Sequence, residues 1–223
     1  MGWSEWVRGV EIEPSLYAAD FAHLGAELEQ LLDAGARIFH FDVGDGHFVE
    51  PVTIGPIVLE SIAPLVHARG GVLDCHLMVE EPTKHIPQIA RAGGDSVTFH
   101  LEAEGDPAEL AALAHGHGLG AGLAFNPGTP VREALAATDG VDLVLCMSIH
   151  PGYSGQAFMP ESLERIEELR RGLPPEVHVQ VDGGIKRENA DEIRTAGANL
   201  LVVGSGIFAA PDIAEAYAGL AAS

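Results

Sequence analysis

The sequence predicts an α/β protein folded as a single (β/α)8 barrel, and three observations support this fold class. Short apolar runs with little polar alternation, typical of strands buried on both faces, recur along the chain. Stretches of helical length and pattern follow them. Small-residue breaks such as Gly35, Gly93 and Gly197 close the helices before the next apolar run. Eight alternations of strand and helix favour a barrel over an open doubly wound sheet, which is the alternative.

The predicted elements follow in order along the 223 residues. The strands are predicted at residues 10–16, 37–43, 72–77, 95–100, 119–125, 142–148, 177–182 and 199–204. The helices are predicted at residues 20–34, 56–68, 82–92, 107–117, 130–137, 160–171, 187–196 and 211–221. Proline stands near several helix starts, where its missing N–H loses no hydrogen bond. Residues 1–223 are expected to form one domain, with residues 1–9 as an N-terminal extension.

The charge of the chain limits its partners. Against 33 acidic residues it carries 12 lysines and arginines, a formal net charge of −21. This charge should repel nucleic acids and anionic membranes, so neither is an expected partner. It should also repel a phosphorylated ligand at long range, so a phosphate site must depend on local donors such as backbone N–H groups.

The sequence shows no sign of export or membrane insertion. No apolar run reaches the roughly 18 residues of a membrane span, and the first residues lack the pattern of a signal peptide. We therefore expect a cytoplasmic protein. Cys75 and Cys146 lie inside apolar runs and are predicted to be buried free thiols.

Four side chains of metal-binding types stand at the ends of three predicted strands: His40 and Asp42, His76, and Asp182. Residues i and i+2 of a strand share a face, so His40 and Asp42 point the same way. A single strand histidine is usually a core residue, but the carboxyl ends of barrel strands form active sites. The combination therefore predicts one divalent cation. Two imidazoles and two carboxylates suit Zn²⁺, Fe²⁺, Co²⁺ or Mn²⁺ without choosing among them.

Glycine-rich turns follow the last two predicted strands, at Gly183-Gly184 and at Gly204-Ser205-Gly206. Glycine lets a phosphate approach backbone N–H groups. The loops after strands seven and eight are the common phosphate site of these barrels. Tight turns without a ligand are the structural alternative, but two such turns in this pair of loops favour phosphate binding.

The segment after strand six is long and rich in glycine, which is typical of a lid or a binding loop. It includes Gly152, Tyr153, Ser154 and Gly155. Met78 and Met147 stand at strand ends, where they could serve packing or form a flexible lining of a substrate cavity. His150 could contact substrate or be a surface residue, and His100 is predicted to lie in the core or behind the ligands.

Imine chemistry is disfavoured because neither of the two lysines stands on a predicted strand. A Schiff-base aldolase needs a lysine on a barrel strand, whereas Lys84 falls on a helix and Lys186 just past the Gly183-Gly184 turn. The sequence also has no nucleophile elbow and no Walker-type phosphate loop.

From about Glu13 onward the chain resembles the ribulose-phosphate 3-epimerase family. The motifs that carry the resemblance occur in the family's order: Pro14-Ser15 with Asp20-Phe21, His40-Phe41-Asp42-Val43-Gly44-Asp45-Gly46-His47-Phe48, Thr53-Ile54-Gly55-Pro56, Asp74-Cys75-His76-Leu77-Met78, Asn126-Pro127, Met147 with Pro151-Gly152, Val181-Asp182-Gly183-Gly184, and Gly204-Ser205. The resemblance implies a (β/α)8 barrel, a divalent metal ion and an isomerase that inverts C3 of a ketose phosphate. D-ribulose 5-phosphate and D-xylulose 5-phosphate are the expected pair. A homo-oligomer is also implied, because barrels of this family associate.

The resemblance also implies roles for individual residues. His40, Asp42, His76 and Asp182 match the metal ligands, with Asp42 as proton acceptor and Asp182 as proton donor. The residues expected to contact the sugar phosphate are Ser15, His76, Met78, Met147, Gly152, Tyr153, Ser154, Gly155, Gly183, Gly184, Gly204 and Ser205. The chemistry is consistent with these roles. Two carboxylates on opposite faces of a planar enediolate can remove one proton and return another, while a cation stabilises the negative charge.

Several positions near the expected pocket depart from the family. Gly44 stands where methionine is usual, His150 where asparagine is usual, and Ser154 where glycine is usual. Glu50-Pro51 replaces Pro-Asn, and Ala18 replaces a common serine. Gly44 should enlarge the pocket, so a 3-epimerase for another ketose phosphate, such as allulose 6-phosphate, is an alternative.

Two further alternatives come from other functional classes. A barrel that binds a sugar phosphate without catalysis would not need two carboxylates in the cluster. A barrel decarboxylase is a minor alternative, because its pattern has a lysine on strand three, where Asp74-Cys75-His76 offers none.

Overall fold

A computed structural model gives the fold and describes residues 2–222. Its strands are β1 (Glu11–Pro14), β2 (Ile38–Gly44), β3 (Val72–Met78), β4 (Ser96–His100), β5 (Gly120–Phe125), β6 (Leu143–Met147), β7 (His178–Asp182) and β8 (Leu200–Val203). All pair in parallel, in the order β1-β8-β7-β6-β5-β4-β3-β2. A parallel bridge between Ser15 and His40 joins the two remaining edges. The sheet is a nearly closed barrel, which confirms the predicted (β/α)8 fold.

The helices surround this sheet. They are α1 (Trp3–Trp6), α2 (Leu24–Asp33), α3 (Pro56–Ala68), α4 (Pro82–Ala92), α5 (Pro107–Gly116), α6 (Val131–Ala136), α7 (Ser162–Gly172), α8 (Ala190–Ala196), α9 (Ser205–Phe208) and α10 (Ile213–Ala221), with a 3₁₀ turn at Leu16–Ala18. Gly93 and Gly197 end α4 and α8 with φ of 91° and 116°, the left-handed conformation that favours glycine. None of the helices within residues 2–222 has the length and apolar character needed to cross a bilayer.

The predicted elements differ from the observed ones mainly at helix starts. Residues 20–23 form a turn in which Asp20 accepts hydrogen bonds from the backbone of Ala22 and His23, so α2 begins at Leu24. Similarly, Asn189 accepts a hydrogen bond from the N–H of Lys186, and α8 begins at Ala190 and not at residue 187. Two helices, α1 and α9, were not predicted. Each has four residues, which is too short for a helical period to be visible.

Strand alternation divides the barrel into two environments. Outward side chains such as Phe39, Phe41 and Phe99 are fully buried in the main hydrophobic core under the helices. Cys75 and Cys146 belong to this core and are free thiols, as predicted. The inward positions of β2 instead carry His40 and Asp42. The polar groups therefore lie inside the barrel, apart from the apolar layer that holds it together.

Helix α1 covers the amino end of the barrel. Trp3 and Trp6 are 2% and 9% exposed, and they belong to a second apolar cluster with residues at strand starts, including Ile38 and Val72. Arg37 donates hydrogen bonds to the carbonyl of Trp6 at 2.7 Å and to Glu11 Oε1 at 2.8 Å. Much of the segment predicted as an N-terminal extension is thus packed against the barrel. Met1, the first residue of that predicted extension, lies outside the described residues.

Candidate functional site

The four predicted ligands lie together at the carboxyl end of the barrel. The register pairs Asp42 with His76, and His40 with Asp74, so neighbouring strands bring the side chains to adjacent levels. One ligand atom from each of His40, Asp42, His76 and Asp182 lies within 4.8 Å of the others. The convergence follows from parallel strands whose inward faces share one end.

The cluster fits a divalent cation. Nε2 of His40 is buried without a hydrogen-bond partner, 3.3 Å from Asp42 Oδ1. Such an atom calls for an explanation, and a cation supplies one. Nδ1 of His40 is 3.1 Å from Asp74 Oδ2, so with a cation bound this nitrogen can donate to the carboxylate and leave the Nε2 lone pair for the ion. Nδ1 of His76 lies 3.1 Å from Asp42 Oδ1. Two nitrogens and two carboxylates could thus hold the ion.

A second layer of buried polar residues lies beneath the ligands. Asp74 accepts hydrogen bonds from Ser96 Oγ at 2.6 Å and from Gln180 Nε2 at 2.7 Å. The same Gln180 nitrogen donates to Glu13 Oε2 at 2.6 Å. Sequence reasoning missed this layer. The signal was the strand period, because Glu13, Asp74 and Gln180 each stand two positions before a site residue on the same strand face.

His100 extends the cluster toward strand β4. It is 1% exposed, and its Nε2 is 2.8 Å from Nε2 of His76. Its Nδ1 is 3.2 Å from Glu102 Oε2. Burial lowers the pKa of His100 to about 4, so the ring is neutral near pH 7. The expectation that His100 lies in the core or behind the ligands is confirmed, whereas Glu102 was not predicted.

The pKa values of the two aspartates in the cluster are shifted in opposite directions. Burial by itself would raise the pKa of Asp42, but the rings of His40 and His76 hold it well below the ordinary range. Burial and then the charge of Asp42 raise the pKa of Asp182 to about 7. Burial lowers the pKa of His40, yet Asp42, Asp74 and Glu13 outweigh it and raise that pKa well above its ordinary value. The protein alone therefore favours positive charge at His40, as expected where carboxylates surround a cation site.

A cleft of about 520 Å³, open to solvent, lies above the cluster. Of the residues predicted to contact a sugar phosphate, those that line it are Ser15, Met78, Met147, Gly152, Tyr153, Ser154, Gly155, Gly183, Gly184, Gly204 and Ser205, and Asp42 and Asp182 line it as well. His76 is the exception, because it is fully buried below the cleft. Its nearest polar neighbours are Asp42 and His100.

Other residues of the cleft were not predicted. Tyr17, Ile149, Pro151, Ile185 and Val202 complete its wall. They are apolar or aromatic and carry no pattern that separates them from core residues. Within residues 2–222, the side chains lining this cleft include no lysine or arginine.

Glycine is required in the turn after β7 both by the backbone conformation and by packing. Gly183 and Gly184 adopt φ of 122° and 67°. A Cβ on Gly184 would lie 2.3 Å from the backbone nitrogen of Phe158, so larger residues are excluded even without a ligand. Ser148 Oγ donates to the carbonyls of Asp182 and Gly183 at 2.8 and 2.7 Å, which holds the turn.

The expected enlargement of the pocket at Gly44 is wrong. A Cβ on Gly44 would lie 2.9 Å from Val49 Cγ2 and 3.0 Å from both Pro51 O and Thr53 Cγ2. The loop after β2 therefore fills the space that a longer side chain would take. Gly44 does not line the cleft, and neither does His150, which is exposed. A departure in sequence at this strand end has been compensated by packing of its own loop.

Comparison with known proteins identifies the family of the chain. The sequence model of the Ribulose-phosphate 3 epimerase family matches residues 11–208. The chain is 41% identical over 220 residues to ribulose-phosphate 3-epimerase 2 of Cupriavidus necator, covering 96% of this chain and 90% of that protein. It is 41% identical over 204 residues to ribulose-phosphate 3-epimerase of Escherichia coli K12, covering 90% of each.

Solved structures show the same fold at low sequence identity. A 3-hexulose-6-phosphate synthase superposes with a TM-score of 0.67 at 20% identity, covering 96% of this chain and 98% of that one. KGPDC from Streptococcus mutans superposes with a TM-score of 0.72 at 12% identity, covering 96% and 97%. At these identities the likeness concerns the fold alone. The sequence matches decide the family: this chain is an isomerase that belongs to the ribulose-phosphate 3-epimerase family.

Proposed function

We propose that the protein is a metal-dependent 3-epimerase that interconverts D-ribulose 5-phosphate and D-xylulose 5-phosphate. The observation that carries this proposal is the cluster of His40, Asp42, His76 and Asp182, whose ligand atoms lie within 4.8 Å of one another. The names of the relatives indicate the substrate class. A divalent cation held by the four residues would stabilise negative charge on the oxygens of the reacting sugar. The donor set suits Zn²⁺, Fe²⁺, Co²⁺ or Mn²⁺.

The two aspartates would exchange protons with C3 of the substrate. Asp42 lies on β2 and Asp182 on β7, which are separated by β8 and β1 around the barrel. The carboxylates therefore approach the cleft from different sides. Without the cation, the pKa of Asp42 lies well below its ordinary range and that of Asp182 is raised to about 7, a divergence typical of acid–base pairs in which one group accepts a proton and the other donates one. Ser15 Oγ donates to Asp42 Oδ2 at 2.7 Å, which would hold that carboxylate in position.

The cleft supports binding of the phosphate away from the cluster. Gly184, Gly204 and Ser205 line it at the loops after β7 and β8. Backbone N–H groups there could donate to the phosphate oxygens. Because the described lining of the cleft offers no basic side chain, we expect the affinity to depend on these short contacts. Contacts from Gly152, Tyr153, Ser154 and Gly155 in the loop after β6 would cover the sugar.

Turnover in heavy water tests the proposal. The purified protein is stripped with a chelator, reloaded with Zn²⁺, Co²⁺ or Mn²⁺, and incubated with ribulose 5-phosphate in D₂O. We expect xylulose 5-phosphate that carries deuterium at C3, and loss of turnover in the stripped protein. A folded protein that binds the metal but yields no xylulose 5-phosphate would refute the substrate. Retained turnover in the stripped protein would refute the metal requirement.

The association of copies remains a prediction from the family resemblance. Sedimentation of the purified protein measures it directly. A mass of one chain, 23.4 kDa, would contradict a homo-oligomer.

A further inference from the structure

We propose that Glu102 is a positioning residue that acts through His100 to keep the Nδ1 lone pair of His76 directed at the metal cluster. The inference rests on the metal site of the proposed function and deepens it. Glu102 lies just past the end of β4 and does not line the cleft. Its influence would reach the cluster through two imidazole rings.

A continuous chain of polar contacts joins Glu102 to the cluster. Its Oε2 is 3.2 Å from Nδ1 of His100. Nε2 of His100 is 2.8 Å from Nε2 of His76, and the two ring planes differ by 25°. Nδ1 of His76 is 3.1 Å from Asp42 Oδ1. Each separation is within or at the edge of hydrogen-bond distance, so the protons of the two rings are interdependent.

Counting protons identifies the bare nitrogen. The chain has three contacts, but two neutral imidazoles carry two N–H groups between them. One proton must lie between His76 and His100, because two bare nitrogens at 2.8 Å would repel each other. The second proton lies at one end of the chain, so the nitrogen at the other end is bare. Either Glu102 or Asp42 therefore faces a lone pair.

The surroundings of Glu102 place the second proton at the Glu102 end of the chain of contacts. Glu102 Oε1 accepts hydrogen bonds from the N–H of Asn126 at 2.8 Å and from the hydroxyl of Thr129. The carboxylate is thus held as an acceptor by the start of the loop after β5. His100 then donates from Nδ1 and accepts at Nε2, and His76 donates from Nε2. In the state that binds a cation, the bare atom is therefore Nδ1 of His76, the nitrogen that faces the cluster.

Burial and packing restrict the orientation of the His100 ring. It is 1% exposed, and the ring of Phe48 lies 4.7 Å from its ring on one side. The arrangement parallels that at His40, where Asp74 accepts from Nδ1 and leaves Nε2 for the ion. Metal-bound histidines are commonly oriented by such partners. Glu102 would do for His76, over a longer path, what Asp74 does for His40.

Glu102→Gln is the decisive variant because it keeps the size of the side chain. The N–H of Asn126 and the hydroxyl of Thr129 need an acceptor, so the glutamine carbonyl should stay toward them. Its NH₂ group would then face His100 and force Nδ1 to accept. The proton of each ring would then move to its other nitrogen, and an N–H of His76 would be directed at the metal cluster. Glu102→Ala removes the acceptor without forcing the reversal, so it should be the milder change.

Asp142→Asn is the matched control. Asp142 Oδ2 is 3.2 Å from Nε2 of His115 and also accepts a backbone N–H, from Ala121, at 2.8 Å. It is the same acid-to-amide change at a histidine–carboxylate pair, but this pair precedes the strands at the other end of the barrel. Each variant is first shown to melt cooperatively, and its Zn²⁺ dissociation constant is then measured by competition with a chelator.

We expect Glu102→Gln to weaken Zn²⁺ binding by about 10- to 100-fold, the usual effect of losing a partner of a metal-bound histidine. Glu102→Ala should weaken it less, and Asp142→Asn should match the wild type. A role in local structure alone would make alanine the more damaging change. An effect of Glu102→Gln no larger than that of Glu102→Ala, or equal to the control, overturns the inference.

Long-range ¹H–¹⁵N spectra of the Zn²⁺-loaded protein provide an independent readout. We expect His100 to carry its proton on Nδ1 in the wild type and on Nε2 in Glu102→Gln. The same tautomer in both proteins overturns the inference. Failure of the wild type to bind Zn²⁺ is a different result, because it refutes the metal site of the proposed function itself.

Discussion

The two ends of the barrel interior differ in chemistry although the same strands form both. At the carboxyl end, β2, β3 and β7 present Asp42, His76 and Asp182. At the amino end, apolar residues at strand starts pack under Trp3 and Trp6. The alternation and register are continuous from one end to the other. Side-chain identity along each inward face therefore decides whether a level of the barrel stabilises the fold or forms a site.

The contrast between the polar and apolar ends of the barrel shows which contacts supply the free energy of folding. Burial of apolar side chains at the amino end and under the helices stabilises the barrel. Buried carboxylates stabilise it only when paired or bound to a cation. Burial is the largest cause of the raised pKa values of Glu13 and Asp182, so the groups around these two carboxyls only partly compensate for their loss of solvation. Substitutions at the carboxyl end should thus change mainly activity, and substitutions at the amino end should change mainly stability.

The largest effect is expected at the polar end. Asp42→Asn or Asp182→Asn should lower kcat for epimerisation by about 1,000-fold or more, roughly 4 kcal/mol, because each change removes a proton-transfer group and a metal ligand. The measurement is the rate of xylulose 5-phosphate formation at saturating metal. Asp142→Asn is the control and should retain wild-type kcat. An Asp variant with more than a tenth of wild-type activity would contradict its role.

The next effect is expected at the apolar end. Trp3→Ala should lower the free energy of unfolding by about 3 kcal/mol, since it removes a buried indole. At temperatures where the variant is folded, kcat should be unchanged. Denaturant unfolding and the epimerase assay measure the two quantities. The exposed Ser4→Ala on the same helix should change stability by less than about 0.5 kcal/mol. Equal stability of both variants would show that α1 does not contribute to the core.

A pH-dependent effect is expected at Glu13, whose pKa burial raises from 4.5 to about 7. Between these values the folded protein holds a proton that the unfolded chain has lost, so stability falls as the pH rises from 4.5 through 7. In the metal-free protein, Glu13→Gln should therefore gain roughly 3 kcal/mol relative to wild type between pH 4 and pH 9. Urea unfolding at the two pH values measures this difference. The exposed Glu60→Gln should show no such gain, and an equal gain in both would contradict the prediction.

The smallest effect is the stabilisation by the cation. Zn²⁺ at 100 times its dissociation constant should raise the free energy of unfolding by about 2.7 kcal/mol, because it binds the folded state. The double variant Asp42→Asn with Asp182→Asn should lose this gain, whereas Trp3→Ala should keep it. Thermal or denaturant unfolding with and without Zn²⁺ measures the change. An unchanged gain in the double variant would place the ion elsewhere.

Much of the fold and part of the site could be predicted from local patterns. The strand containing His40 and Asp42 and its order in the chain follow from apolar periodicity, which is a short-range property. Glu13 and Gln180 were missed because each stands one strand period before a site residue, a signal that does not by itself identify a partner. Their importance depends on a contact between β1 and β7, which sequence spacing does not report. The same applies to Gly44, whose empty position is filled by Val49 from its own loop.

The barrel, its strand limits to within a few residues, the family and the residue types of the cluster could all be predicted from the amino-acid sequence. Those properties arise from hydrophobic period, turn residues and motifs, which are local. The folded structure was needed to find which nitrogen of His40 lacks a partner, that α1 covers the amino end, and that Glu102 is connected to His76 through His100. These depend on distances between side chains from different strands. They are set when the barrel closes and its interior packs.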